Sequence, residues 1–237
     1  MNSFRRLSIT GSTLKLLAVI AMLVDHVGVF VFRNNDAFLQ VFCTIGSKEI
    51  TTYFLMRAIG RIAFPIFAFL VVEGFIHTRN RFKYGRNLLL FAVLSELPWN
   101  FIHAGTWHYP GQNVFFTLFL GYMGLCCLFY WKEETVKKGV GLLFLLAVSF
   151  KLHADYGYRG FAFILMLYAL YDSRLLKSVI GCCMLPGAWM AGLAFIPIAL
   201  YNGERGFIQD AWGKYFIYAF YPLHLTILYL YKVVCSM

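Results

Sequence analysis

The chain has 237 residues, of which 60% are hydrophobic, 19% aromatic and only 14% charged, and its mean hydropathy is +0.68. A soluble domain averages about 45–50% apolar and about 25% charged residues. These proportions exclude a soluble globular enzyme, a disordered tail and a disulfide-stapled secreted module, and leave a polytopic membrane protein whose outside is solvated by lipid.

Eight apolar segments are long enough or apolar enough to enter a bilayer: 14–32, 59–76, 88–104, 114–131, 140–152, 161–171, 179–201 and 215–234. A full helical crossing takes roughly 20 apolar residues. None of the segments shows the alternation of barrel strands, so the expected fold is an all-α polytopic membrane protein, a single helical domain over 1–237. The stretch 37–46 is too short to cross and is expected to lie along the membrane surface or dip into it. The pair 140–152 and 161–171 is short, so the polar turn between them is expected below the outer surface, in a hairpin short enough to be re-entrant. Lys and Arg set orientation. Arg5 and Arg6, and the dense loop carrying Arg79, Arg81, Lys83 and Arg86, mark one side as cytoplasmic; an even number of crossings then puts both termini there.

The net charge of +10 sits in short loops between apolar runs. It reads as orientation signal and not as a nucleic-acid surface. The six cysteines, Cys43, Cys126, Cys127, Cys182, Cys183 and Cys235, form no CxxC pair. They are read as small apolar side chains, with no metal and no disulfide framework.

Ionisable groups inside the spans cost about 2.5–3.5 kcal/mol each on insertion scales, so each is a functional candidate. The first span carries Lys15, Asp25 and His26. Eleven residues at about 100° each bring Lys15 and His26 onto one helix face, roughly 16–17 Å apart along the axis. That is close to the span between the phosphates and the thioester of coenzyme A. Asp25 points about 100° away and is expected to pair with another helix. The second span opens with Arg57 and Arg61; Pro65 frees the Arg61 carbonyl and kinks the helix. Glu73 and His77 suit a local ion pair at the basic end. Glu96, Asn100 and His103 form one stripe, and Glu96 at that depth needs a cation, with Arg61 or Arg159 as candidates. His103 and His108 suit hydrogen bonds near the outer surface. Tyr221 and His224 face one way from the last span, with His224 near the depth of His26. HExxH, GxSxG and Walker patterns are all missing.

Four blocks resemble a known family. Leu14-Lys15-Leu16-Leu17-Ala18 with Met22-Leu23-Val24-Asp25-His26, and Gly60-Arg61-Ile62-Ala63-Phe64-Pro65-Ile66-Phe67-Ala68, look like the first two helices of TraX-type proteins. Tyr156-Gly157-Tyr158-Arg159-Gly160 and Phe220-Tyr221-Pro222-Leu223-His224 match later blocks. The founding TraX is associated with acetylation of conjugative pilin at its amino terminus. The Lys15-x10-His26 spacing is also similar to the Arg-x10-His pattern of membrane acyltransferases that acetylate surface glycans. Lys in place of Arg keeps a cation but loses the bidentate fork.

The resemblance implies acetyl transfer from cytoplasmic acetyl-CoA to a pilin-like peptide or surface-glycan acceptor, in a multi-pass protein of the bacterial inner membrane. For such a reaction the chemistry of the residues points to His26 as general base, with Asp25 in the site and Asp155 or Glu96 fixing the imidazole tautomer. Arg61 or His224 would stabilise the oxyanion; Lys15, Arg159 and Tyr221 would hold the donor. A transporter or flippase using the same buried charges, a non-catalytic assembly subunit, and a haem protein ligated by His26 and His224 stay open as alternatives.

Overall fold

A computed structural model describes residues 8–185 and 188–235, so Arg5 and Arg6 lie outside the described residues. The chain is a bundle of helices with one small β-hairpin. α1 (Gly11–Val27) starts on a Thr10 cap and runs on through a π-helical turn, Gly28–Phe32. α2 (Asp36–Leu39) leads into strands β1 (Val41–Ile45) and β2 (Lys48–Thr51), which pair antiparallel. This hairpin stands where the sequence suggests a surface-lying segment. Val41, Phe42, Cys43 and Ile45 are exposed, and Thr44 and Val41 carry the β-branched side chains that favour a strand over a helix.

α3 (Thr52–Gly60) and α4 (Ala63–His77) form a helix broken at Arg61–Ile62, four residues or fewer before Pro65, as the lost proline amide predicts. α4 is the central element: Ile66, Ala68 and Val72 are completely buried. α5 (Arg81–Ala104) contains Pro98 without interruption. α6 (Val114–Tyr130), α7 (Thr135–Lys151) and α8 (Gly157–Ala169) alternate in direction. α9 (Arg174–Met184) is followed by α10 (Ala188–Gly192) and α11 (Phe195–Ala199), and α12 (Ala211–Cys235) closes the bundle. The helices 11–32, 52–77 and 212–235 are long and apolar enough to cross a membrane. Outward-facing Leu16, Leu17 and Ile20 on α1, and Leu143 and Phe144 on α7, give the apolar exterior that lipid requires.

Two expectations are corrected. The seventh apolar segment is no continuous crossing. It doubles back, with Phe195 packed on Gly181 and Cys182 on Gly192. Arg174 donates to the Ala199 carbonyl at 3.4 Å, so both feet of this hairpin stand together. A doubling-back therefore falls at 174–199, because Leu185 and the short pieces α10 and α11 break the helix where hydropathy alone sees one run. In consequence α12 runs parallel to α1. Ile9 and Ser12 bond to Leu200, Arg205 and Ile208 at one end, while Phe30, Phe32 and Cys235 line a shared cleft at the other. The described chain therefore begins and ends at opposite ends of the bundle, which removes the expectation that both termini are cytoplasmic.

Candidate functional site

His26 in the last turn of α1 and His224 in the middle of α12 meet face to face. His26 Nδ1 and His224 Nε2 are 2.6 Å apart, with the rings nearly parallel. His224 Nδ1 lies 2.7 Å from the Phe220 carbonyl. A carbonyl only accepts, so Nδ1 of His224 carries the proton. With both rings neutral, His224 Nε2 is then the acceptor, His26 Nδ1–H the donor, and the lone pair on His26 Nε2 is left free. One backbone carbonyl thus fixes both tautomers. The π-helical turn begins two residues after His26, a widening typical of helices at functional positions. Tyr221 sits edge-on to both rings, at centroid distances of 6.1 Å and 5.6 Å.

A cavity of about 810 Å³ opens at the end of the bundle where α1 begins. Its mouth is lined by Lys15, Arg79, Lys83, Arg205 and Lys214. Its inner wall is made by Met22, Val114, Phe115, Leu118 and Tyr221, so it ends one aromatic ring from the histidine pair. Glu73 is a carboxylate in this wall; Tyr171 donates to it at 2.7 Å, Tyr201 at 3.3 Å, and His77 lies 3.3 Å away. Tyr84 reaches the cavity because Gly74 leaves room: a methyl group there would fall 2.5 Å from the Tyr84 hydroxyl.

On the other side of the histidines lies a charge-balanced cluster. Arg57 from α3 donates to Asp25 at 2.7 Å. Asp25 packs directly on Gly60, where a side chain of any size would strike it. Arg61 and the turn residue Asp155 complete two carboxylates and two guanidiniums. The turn is held by the Asp155 amide donating to Gln112 at 2.9 Å and by the Thr117 hydroxyl on the Asp155 carbonyl. His153 and Tyr156 both take left-handed φ, 50° and 67°, which few non-glycine residues adopt; Tyr156 is locked by stacking on Phe64 at 3.8 Å. Surrounding protein and the Asp25 carboxylate push the Asp155 carboxyl up to about 6, against Arg61 and Arg57.

The family model described as TraX protein matches residues 10–232. The chain belongs to the TraX family. Among curated relatives, a probable fimbrial assembly protein FimC, serogroup H1, of Dichelobacter nodosus is 27% identical over 254 residues, which cover 94% of this chain and 96% of that one. An uncharacterized protein, RP591, of Rickettsia prowazekii (strain Madrid E) is 26% identical over 121 residues, 51% of this chain and 37% of the relative. No solved structure matches.

All four blocks that carry the TraX likeness lie in the matched range, and the fold brings parts of each together: Arg61 and Tyr156 near Asp25, with Asp155 just before the third block, and Tyr221 with His224 against His26. Other candidates part company. Glu96 accepts from Asn113 Nδ2 at 2.6 Å and pairs with neither Arg61 nor Arg159, because the Asn113 cap of α6 reaches it first. Neither Glu96 nor Asp155 bonds an imidazole; the Phe220 carbonyl and His224 set the tautomer instead. Arg159 is exposed at the start of α8, against Tyr158, away from the mouth of the cavity. His103 Nδ1 donates to the Trp99 carbonyl at 2.9 Å, and its ring packs among Phe30, Trp99 and Tyr109. Asp25 pairs with another helix, as its direction on α1 requires. Sequence reasoning gave Arg57 no role; its spacing of four from Arg61, one turn, was the available signal. Among the described residues no cluster of His, Cys, Asp or Glu has the grouping of a metal site.

Proposed function

We propose that the protein is a membrane-embedded acyltransferase, moving an acetyl group from cytoplasmic acetyl-CoA to an amine or hydroxyl of a surface acceptor, a pilin-like peptide or a glycan, in the bacterial inner membrane. The observation that carries this reading is one continuous arrangement: a cavity with a cationic mouth at Lys15 whose inner end meets the ring of Tyr221, which touches a histidine pair with one free imidazole lone pair. The likeness to a fimbrial assembly protein supports a surface-structure role.

In this reading the Lys15 end faces the cytosol. Seven segments cross, α9–α11 dips in and returns, the amino end is cytosolic and the carboxyl end is outside. The doubling-back supports this orientation, since it adds Arg205 and Lys214 to the basic end and moves Lys232 to the other. The cations of the mouth hold the donor's phosphates; Lys15 acts as a point charge without a guanidinium fork. The acceptor comes from the side of Asp155 and Arg61. His26 Nε2 takes the acceptor's proton as it attacks the thioester carbon, and His224 Nε2, accepting from His26 Nδ1, shares the charge that forms.

Incubation of the purified, nanodisc-embedded protein with radiolabelled acetyl-CoA and envelope extracts, followed by mass spectrometry of labelled products, tests the reading. Transfer should fall at least about a thousandfold in His26→Ala with the melting temperature held. Wild-type-like turnover in His26→Ala removes the base. Failure of the wild-type protein to bind or turn over acetyl-CoA leaves the assembly-subunit reading, which the relative's name favours.

A further inference from the structure

Attack on a thioester carbonyl drives an electron pair onto the carbonyl oxygen, and a hydrogen-bond donor must be waiting for it. The groups that the sequence suggests for this are engaged elsewhere. Both nitrogens of His224 are used, one on the Phe220 carbonyl and one on His26. Arg61 belongs to the carboxylate cluster beyond His26, with Asp25 and Asp155.

Tyr221 remains. Its side chain lines the inner end of the cavity and only 3% of the residue is exposed. Its hydroxyl is sealed from water and makes no hydrogen bond. A buried O–H with nothing to donate to is costly and uncommon. The oxygen faces the backbone amide of Val114. Val114 is the first residue of the 17-residue helix α6 and itself lines the cavity. The Asn113 side chain caps the next amide, that of Phe115, at 3.0 Å, and leaves Val114 N–H unused. The positive end of the helix therefore faces the same point as the idle hydroxyl.

Resting on the acyltransferase reading, we propose that the Tyr221 hydroxyl, backed by the amino terminus of α6 at Val114, is the oxyanion donor of the reaction. The acceptor atom forms a bond to the thioester carbon, and its proton passes to His26 Nε2. The C=O pair moves onto oxygen, where Tyr221 donates a hydrogen bond and keeps its proton. On collapse the C–S bond breaks, and the sulfur takes the proton back from His26.

The test compares two ligands on one variant. Coenzyme A itself probes binding. A thioether of coenzyme A ending in a trifluoromethyl ketone, which forms a tetrahedral hydrate, probes the oxyanion donor. Tyr221→Phe keeps the ring against His26 and removes only the hydroxyl. The expected result is a loss of about a hundredfold in affinity for the ketone, with affinity for coenzyme A changed less than about threefold, and kcat down about 10²–10³-fold at constant KM. Val114→Pro serves as the second variant. Proline is tolerated at the first helical position, and Asn113, at φ −69° and ψ 163°, already has the extended backbone that a following proline demands. It should lower kcat about tenfold in a folded protein. An unchanged ketone affinity in Tyr221→Phe, or an equal loss for both ligands, overturns the proposal while wild-type transfer stands. Absence of binding of either ligand to the wild-type protein overturns the acyltransferase reading, and this inference with it.

Discussion

The two ends of the bundle treat charge in opposite ways. At the end where α1 begins, cations crowd a cavity around a single buried carboxylate, Glu73, already occupied by two tyrosines and His77. Beyond the histidines, Asp25 and Asp155 face Arg57 and Arg61, charge for charge. A surplus of cations survives where long side chains reach solvent or await an anion. Charges deeper in a low-dielectric bundle are retained only when balanced, since an isolated one costs several kcal/mol. The first end thus leaves cations unmatched around an open cavity, and the second balances its charges beside His26.

The comparison can be broken at its junction first. His224→Phe removes the acceptor that fixes the His26 tautomer, and transfer should fall about a hundredfold with coenzyme A affinity unchanged. Equal loss of binding and turnover would show instead that His224 only packs. A smaller effect tests the balanced end. Arg57→Gln strips Asp25 of its charged partner, and the protein should lose about 2 kcal/mol of stability, read as a lower melting temperature in detergent. Asp25→Asn in the same chain should restore part of that loss; no restoration would deny that the pair matters as a pair. The smallest effect belongs to the open end. Lys15→Gln should raise KM for acetyl-CoA roughly fivefold, about 1 kcal/mol for one partly solvated charge, and flatten the dependence of KM on salt. A salt dependence identical to wild type would take Lys15 out of donor binding.

Much of the architecture was legible because lipid imposes simple rules. Composition alone demanded helices in a membrane, and Pro65 marked the break after Arg61. Helical periodicity turned Asp25 away from His26 and toward a second helix, where Arg57 meets it. The matched depth of His26 and His224 pointed to a shared site, and the rings touch. Hydropathy failed at 179–201, because it counts apolar residues and is blind to the direction of the chain. A segment that enters and returns is as apolar as one that crosses. That single error put both termini on one side.

What the sequence determined by itself was the kind of solvent around the protein, the helical answer to it, and the short set of polar residues expensive enough to need a reason. Those follow from transfer free energies and the 3.6-residue period, which are local properties. Only the tertiary structure decided which of the polar residues touch. The carbonyl of Phe220, the Asn113 cap that takes Glu96, and the idle hydroxyl of Tyr221 are settled by backbone placement across helices far apart in the chain, and no spacing along one helix encodes them.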